Sequence, residues 1–454
     1  MKTRIALSMV FAASILLGCA PDRGSRGGSG GTTGLGGDVA AGTGGSGTGG
    51  ASSTGGDTGQ GGSAVSTGGS TGAGGTTPGT GGSSVGSGGT TGSGSGSGAA
   101  GTRGSGGMTA SGGAPGAAGT SGRGGTTGTG GGASTGITAP CDIYQAANTP
   151  CVAAHSTVRA LYGAYSGPLY QLRRASDKMT KDVPVASAGG FVDISVQTSF
   201  CSGTTCTISI IYDQSPNHND LAKSPPGETW LPNGGNEANA ADGAITVGGH
   251  MAHGIYVNNP SQNVGYRNNA TKGVAKGDEA EAMYAVLDAK RFSSICCFDY
   301  GNVETDGKDD GNATMEAIYW GSSTQWSRGG GNGPWVAADL ENGMFEGDSA
   351  NAPSNTSVTG MSYVTAMLKG PSGNAFGLKA GNAQSGMLET KWNGKRPPGY
   401  SPMKKQGAIV LGTGGDGSNY GQGTFFEGAI TSGNPPDSVD DAIQANIVAA
   451  GYGK

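Results

Sequence analysis

An all-β sandwich is the fold class this sequence predicts for its last two thirds, and three observations predict it. Short runs rich in β-branched and aromatic residues recur after residue 200, each bounded by Gly, Asn, Pro or Asp. Helical periodicity is rare. No alternation of strand and helix patterns runs along the chain, so a parallel sheet with crossover helices is not expected.

The β-patterned runs are 206–212, 283–287, 315–320, 363–368, 407–411 and 424–430. The clearest helix is 439–450, with Asp437 or Ser438 as N-cap and Ile443, Ile447 and Val448 near one face. A second helix is expected over 152–162. His250-Met-Ala-His253 lies among Gly248, Gly249 and Gly254 and reads as a loop.

Composition divides the chain. Of 454 residues, 95 are glycine, and these crowd the first third. Residues 20–138 are Gly, Ser, Thr and Ala with almost nothing large and apolar, and no strict triplet period marks collagen. Such a segment buries too little apolar surface to offset ordering its backbone, so a disordered tether spanning ~60 Å is expected. Ahead of it, Met1-Lys-Thr-Arg4 precedes an apolar run over 5–17, too short for a stable membrane span. The run ends in Leu16-Leu-Gly-Cys19, which resembles a bacterial lipobox. The expected organisation is a lipoprotein signal peptide (1–18), a lipidated Cys19 with its tether (19–138) and a catalytic β-sandwich (139–454). The expected location is the bacterial envelope, at the outer membrane, held there only through the lipid. Net charge is −5 with pI near 5.4. No basic face is available for phosphate, so nucleic acid is excluded as a partner, whereas a neutral sugar fits.

Beyond Cys19 six cysteines remain. The simplest pairing is sequential: Cys141 with Cys151, Cys201 with Cys206, and Cys296 with Cys297. The first two close short loops and would each contribute ~2–3 kcal/mol. Cys296 and Cys297 are adjacent. Spacing alone leaves open whether they bond to each other, stay reduced or pair elsewhere.

Residues 139–454 contain no Gly-x-Ser-x-Gly elbow, no Walker lysine and no His-Glu-x-x-His helix. No metal site is expected of the histidines, and His155 reads as a structural hydrogen-bonding residue. Carboxylates remain. Glycoside hydrolysis needs two, one as nucleophile and one as general acid. Trp335-Val-Ala-Ala-Asp339-Leu340-Glu341-Asn342-Gly343 ends a β-run in acids at i and i+2, which share a strand face. Leu411-Gly-Thr-Gly-Gly415-Asp416-Gly417 runs an apolar strand into glycines and a lone acid. On their own, both segments also read as strand ends closed by turn-forming Asp and Asn.

A resemblance decides between these readings. The segments Pro140-Cys-Asp-Ile-Tyr144, Thr149-Pro-Cys-Val-Ala-Ala-His-Ser-Thr157, Ile211-Tyr-Asp-Gln-Ser215, Gly265-Tyr-Arg-Asn-Asn269, Cys296-Cys-Phe-Asp-Tyr-Gly-Asn302, Asp339-Leu-Glu-Asn-Gly343 and Gly423-Thr-Phe-Phe-Glu-Gly428 stand in this order. Together they resemble the catalytic domain of glycoside hydrolase family 54, over nearly all of 139–454. The resemblance implies a β-sandwich of the concanavalin A-like, jelly-roll type and a retaining, exo-acting α-L-arabinofuranosidase. It implies Glu341 as nucleophile and Asp416 as acid/base, with their carboxyl groups ~5–5.5 Å apart. It implies substrate contacts from Cys296, Cys297, Trp326, Asp339, Leu340, Asn342 and Gly415, with a bonded Cys296–Cys297 pair as an apolar platform under the sugar. No cofactor and no metal are implied. The expected partner is an arabinose-containing polysaccharide or oligosaccharide, and the expected state is a monomer. Family members commonly carry a further sugar-binding domain after the catalytic one. The chain reaches Lys454 without one, so no anchoring to insoluble polymer through such a domain is expected.

Overall fold

The computed structural model describes residues 138–454 apart from 229, 230 and 260. The expected leader, Cys19 and nearly all of the tether lie outside the described residues. Two large antiparallel sheets dominate the described fold, beside two small two-stranded ones. The larger begins at its edge with Met344–Phe345 and continues through Trp335–Asp339, Glu316–Gly321, Asp299–Val303, Ala408–Leu411 and Tyr266–Asn268. It then passes through Leu221–Lys223, Cys206–Ile211, Pro168–Arg174 and Thr180–Pro184. The smaller runs Cys151–Ser156, Gln422–Ser432, Glu281–Asp288, Tyr363–Gly370, Phe376–Asn382 and Glu389–Gly394.

Alternation of side chains sorts the larger sheet into two faces. Tyr300, Ile318, Trp320, Val336, Ala338, Ile409 and Leu411 belong to the main apolar core, together with Tyr284, Val364 and Leu378 of the smaller sheet. Their strand neighbours turn the other way. Val303, Met315, Ala317, Ala408 and Val410 form one separate apolar patch, and Cys296, Cys297, Tyr319, Ala337 and Met344 form another. The second face, away from the main core, is where the site is built.

Charged groups are also sealed between the sheets. Glu316 bonds Arg396 at 2.5 Å and Lys405 at 2.9 Å, and Lys405 reaches Glu281 at 3.2 Å. On the outer face of the smaller sheet, Lys369 and Lys379 hold Asp440 at 2.6 and 2.8 Å. Asp440 lies in the helix Asp437–Ala450, which ends at Gly451 in left-handed backbone, φ 78°. Pro436, not Asp437 or Ser438, is its N-cap.

The six expected strands are present with shifted ends. The helix expected over 152–162 is not: Cys151–Ser156 is a strand paired with Gln422–Ser432. All six of its residues are buried, so no polar alternation marked it as a strand. The two short helices Pro140–Ala146 and Ile194–Phe200 were not anticipated. His250–His253 is a strand paired with Ala244–Val247, not a loop, and His250 stacks on Phe191 at 4.6 Å. His155 is fully buried and bonds the Tyr300 hydroxyl at 3.1 Å and the Asn219 carbonyl at 2.9 Å, a structural role. All three disulfides pair sequentially: Cys141–Cys151, Cys201–Cys206 and Cys296–Cys297.

Candidate active site

Four neighbouring strands and two loops supply the site. Asp339 is the last residue of Trp335–Asp339 and lies opposite Ala317. Asp299 opens its own strand opposite Tyr319. Both therefore project from the face that carries Tyr319 and Ala337. Asp339 is followed by a tight turn in which Leu340 N–H bonds the Gly343 carbonyl at 3.0 Å. Within it Glu341 and Asn342 hold φ of 62° and 56°. Left-handed backbone costs an L residue roughly 1–2 kcal/mol, and two such residues in succession at an acid mark a place where position is held against local preference. The Glu341 amide bonds Asp339 Oδ1 at 3.2 Å, which secures the turn. Leu340 turns its side chain into the main core, so only its backbone is left for the site. Asn342 is exposed and bonds Asp309 Oδ1 at 2.9 Å.

The second loop doubles back across this face. Gly412 N–H bonds the Asp299 carbonyl at 2.8 Å. Three residues later Gly415 has reached Glu304, just past the other end of the Asp299–Val303 strand. Arg267 holds it there by donating from Nη1 to the Gly415 carbonyl at 2.6 Å and from Nη2 to the Glu304 carbonyl. Glycine is required at 414 and 415. A Cβ on Gly415 would collide with Glu304 Oε2 and approach Glu341 Oε2 to 3.0 Å. One on Gly414 would collide with Ser418 Oγ and lie 3.3 Å from both Asp416 Oδ1 and Cys297 Sγ. Two adjacent glycines thus stand between the Asp416 carboxylate and the Glu341 carboxylate. Asp416 is oriented by the Ser418 amide, 2.7 Å from Oδ1.

The bonded Cys296–Cys297 pair lies alongside. Cys297 Sγ is 3.5 Å from Asp339 Oδ2, and Ser418 Oγ is 3.4 Å from Cys297 Sγ and 3.6 Å from Cys296 Sγ. Trp326 is partly buried against the same patch. Of the residues expected from sequence, Cys296, Cys297, Trp326, Asp339 and Gly415 are therefore gathered on one face, while the Leu340 side chain turns into the core and Asn342 stands exposed on the turn. Cys296, Cys297 and Asp339 form a cluster of metal-ligand types, but both sulfurs are spent in the disulfide and offer no thiolate.

Sequence reasoning missed two further acids. Asp299 and Glu304 are fully buried. Asp299 accepts from no N–H or hydroxyl among the described residues; its neighbour is Asp339. Two carboxylates cannot bond each other, so the contact holds with a proton on one of them. Burial, and then the charge of Asp339, raise Asp299 well above the ordinary aspartate range. Burial pushes Asp339 up to about 7. Burial, and then the charges of Glu304, Asp339 and Asp416, raise Glu341 far above the usual glutamate range. Like charges this close cannot all be ionised, and such crowding marks a site of proton chemistry. The signal for Asp299 was present in Cys-Cys-Phe-Asp-Tyr-Gly-Asn, an acid inside an otherwise apolar and aromatic run.

Comparison with known proteins gives the site a family. Residues 140–453 match the family described as alpha-L-arabinofuranosidase B, catalytic. Alpha-L-arabinofuranosidase B of Emericella nidulans is 53% identical over 319 residues, covering 69% of this chain and 62% of that protein. A probable alpha-L-arabinofuranosidase B of Aspergillus fumigatus is 51% identical over 321 residues, covering 70% of this chain and 63% of that protein. A solved arabinofuranosidase complexed with arabinofuranosyl-alpha-1,2-xylobiose superposes with TM-score 0.67 at 48% identity, covering 69% of this chain and 65% of that one. The chain thus spans a little under two thirds of the curated relatives it matches. These relatives are secreted fungal proteins, which corrects the placement expected from the leader. The lipid anchor on Cys19 and the bacterial outer membrane are withdrawn. A basic start and an apolar run suit any secretory leader, and the four-residue lipobox pattern carries little weight against likeness over some 320 residues. The match across nearly the whole described fold places the chain in the α-L-arabinofuranosidase B catalytic family, glycoside hydrolase family 54.

Proposed function

We propose that this chain is a retaining, exo-acting α-L-arabinofuranosidase that releases terminal arabinofuranosyl groups from arabinan- or arabinoxylan-type hemicellulose or from oligosaccharides derived from it. The observation that carries the reading is the pair of carboxylates, Glu341 and Asp416, set against adjacent glycines on one sheet face beside a bonded cysteine pair and Trp326. Glu341 attacks the anomeric carbon while Asp416 gives a proton to the departing oxygen. The C1–O bond to the aglycone breaks and a covalent arabinosyl ester forms on Glu341. Asp416, now ionised, takes a proton from water, whose oxygen displaces Glu341 and restores the starting configuration.

Asp339, Asn342 and the backbone at Leu340 and Gly415 hold the sugar hydroxyls in this reading. The Cys296–Cys297 sulfurs and Trp326 supply apolar contact to a sugar face. The organisation that accompanies it is a secretory leader over 1–18, a linker up to 138 and the catalytic domain over 139–454. Export suits the three disulfides, which need an oxidising compartment. The test is incubation of the full chain with an arabinofuranosyl-substituted xylobiose. Release of free arabinose is expected. A folded chain that releases none overturns the proposal and leaves a sugar-binding protein in its place.

A further inference from the structure

Glu304 lies inside the site and has no part in the reaction as written above. Its carboxyl group is fully buried, and Oε2 has no hydrogen-bond partner. That oxygen occupies the space beside Gly415 that Glu341 Oε2 also borders. The other oxygen, Oε1, lies 2.5 Å from Thr314 Oγ1. Thr314 Oγ1 is in turn 2.6 Å from the Gly311 carbonyl.

The Thr314 hydroxyl has one proton and two neighbours. The Gly311 carbonyl can only accept. Were the proton given to Glu304, the hydroxyl and carbonyl oxygens would face each other, lone pair to lone pair, at 2.6 Å. The arrangement is satisfied throughout when Thr314 donates to Gly311 and Glu304 donates to Thr314. Glu304 is then a carboxylic acid, with its proton on Oε1.

We propose that Glu304 is a positioning residue for Glu341, a neutral carboxylic acid anchored by Thr314 that leaves Glu341 free to be the anion at the reacting carbon. The proposal rests on the arabinofuranosidase reading above. Its physical basis is the repulsion between adjacent carboxylates: one proton retained on Glu304 removes the nearest negative charge from Glu341. Burial raises Glu304 to about 7 and Glu341 further still, so it is the Thr314 geometry, not burial, that assigns the retained proton to Glu304. The charged groups that bear on the pair are Arg267 from the Tyr266–Asn268 strand, Asp416 from the glycine loop, Asp339 from the end of the Trp335–Asp339 strand and Asp309 from the loop before Thr314. Of these only Arg267 opposes the raised value of Glu304.

The experiment compares the full-length wild type with Glu304→Gln and Glu304→Ala, using 4-nitrophenyl α-L-arabinofuranoside across the pH range. This leaving group needs little proton help, so the basic limb of kcat/KM reports the Glu304–Glu341 pair more than Asp416. The amide of glutamine copies the neutral acid, donating to Thr314 and presenting its oxygen toward Glu341. Glu304→Gln is expected to keep kcat/KM near pH 5 within about threefold and to carry its basic limb at least about one pH unit higher, since nothing at 304 then ionises. Glu304→Ala is expected to lose about a hundredfold. The proposal is overturned if Glu304→Gln is as impaired as Glu304→Ala, if its pH profile superposes on that of the wild type, or if it fails to fold. A neutral isostere of a neutral acid should be tolerated. Were the wild type itself folded and inactive, the arabinofuranosidase reading would fall first and this proposal with it.

Discussion

Arg267 Nη1 donates to the carbonyl of Gly415 over 2.6 Å, tying a strand in the middle of the larger sheet to the residue next to Asp416. The same side chain donates from Nε to Asn269 Oδ1 at 2.6 Å and from Nη2 to the Glu304 carbonyl. A lysine offers a point charge in place of this planar fork and cannot make all three contacts. Arg267→Lys is therefore expected to lower kcat/KM by about a hundredfold with a smaller effect on KM than on kcat, because the loop that carries Asp416 loosens. Steady-state kinetics check this. Unchanged kcat would show that the loop holds its shape without Arg267.

The Cys296–Cys297 pair touches Asp339 and Ser418 and packs with Tyr319 and Met344. If it supplies apolar contact to the sugar, replacing both cysteines with serine should raise KM by about tenfold and leave the melting temperature within a few degrees of wild type. An unchanged KM would remove the pair from the substrate contacts.

Arg159 makes a double hydrogen bond to Glu427, 2.6 and 2.7 Å, and also reaches Asn446 in the helix Asp437–Ala450, on the smaller sheet and not on the face that carries the carboxylates. Both groups are buried. Arg159→Ala leaves a buried anion unpaired and is expected to lower stability by about 3–5 kcal/mol. Activity per folded molecule at room temperature should be unchanged. Denaturant melts read the first quantity and active-site titration the second.

How much of this was legible in the sequence depended on the range of the interaction. Runs such as Tyr363–Gly370 show themselves through β-branched and apolar residues and through the turn residues that bound them. Asp339 and Glu341 were legible as a close pair of acids, but not as two residues of one strand face, because the strand ends at Asp339 and Glu341 stands in the left-handed turn after it. Cys151–Ser156 was not, because a strand buried on both faces has no alternation and Val-Ala-Ala suits a helix equally well. Glu304 was not legible either. Its neighbours Gly415 and Glu341 come to it through a loop over a hundred residues away and a turn in left-handed backbone, and neither has a local signature. Placement in the cell was misread for the opposite reason, since a short local pattern at Cys19 was given the weight of a long one.

Glu346 gives a stability prediction with a definite sign. It is buried, Oε2 has no partner, and burial raises its carboxyl from the ordinary 4.5 to about 7. Between these values the folded state keeps a proton that the unfolded state has released. Unfolding therefore releases a proton, and raising the pH favours it. The stability contributed by the neutral form is complete below pH 4.5 and is lost as pH rises through about 7. Glu346→Gln cannot ionise. Relative to wild type it should gain stability steadily from about pH 4.5 to 8, by at most about 3 kcal/mol. Urea melts of both proteins across that range check it, and parallel curves would contradict it.

The central claim is that Glu341 forms the bond to the sugar. Glu341→Gly opens space where the nucleophile stood, and azide can occupy it. Incubated with 4-nitrophenyl α-L-arabinofuranoside, this variant is predicted to be at least about a thousandfold slower than wild type and to recover with azide. The product of that recovery is predicted to be β-L-arabinofuranosyl azide, of inverted configuration, because a single displacement from the face of the missing carboxylate replaces the usual two. Recovery that instead gives the α-azide, or a variant as active as wild type without azide, would contradict the assignment of Glu341 as nucleophile.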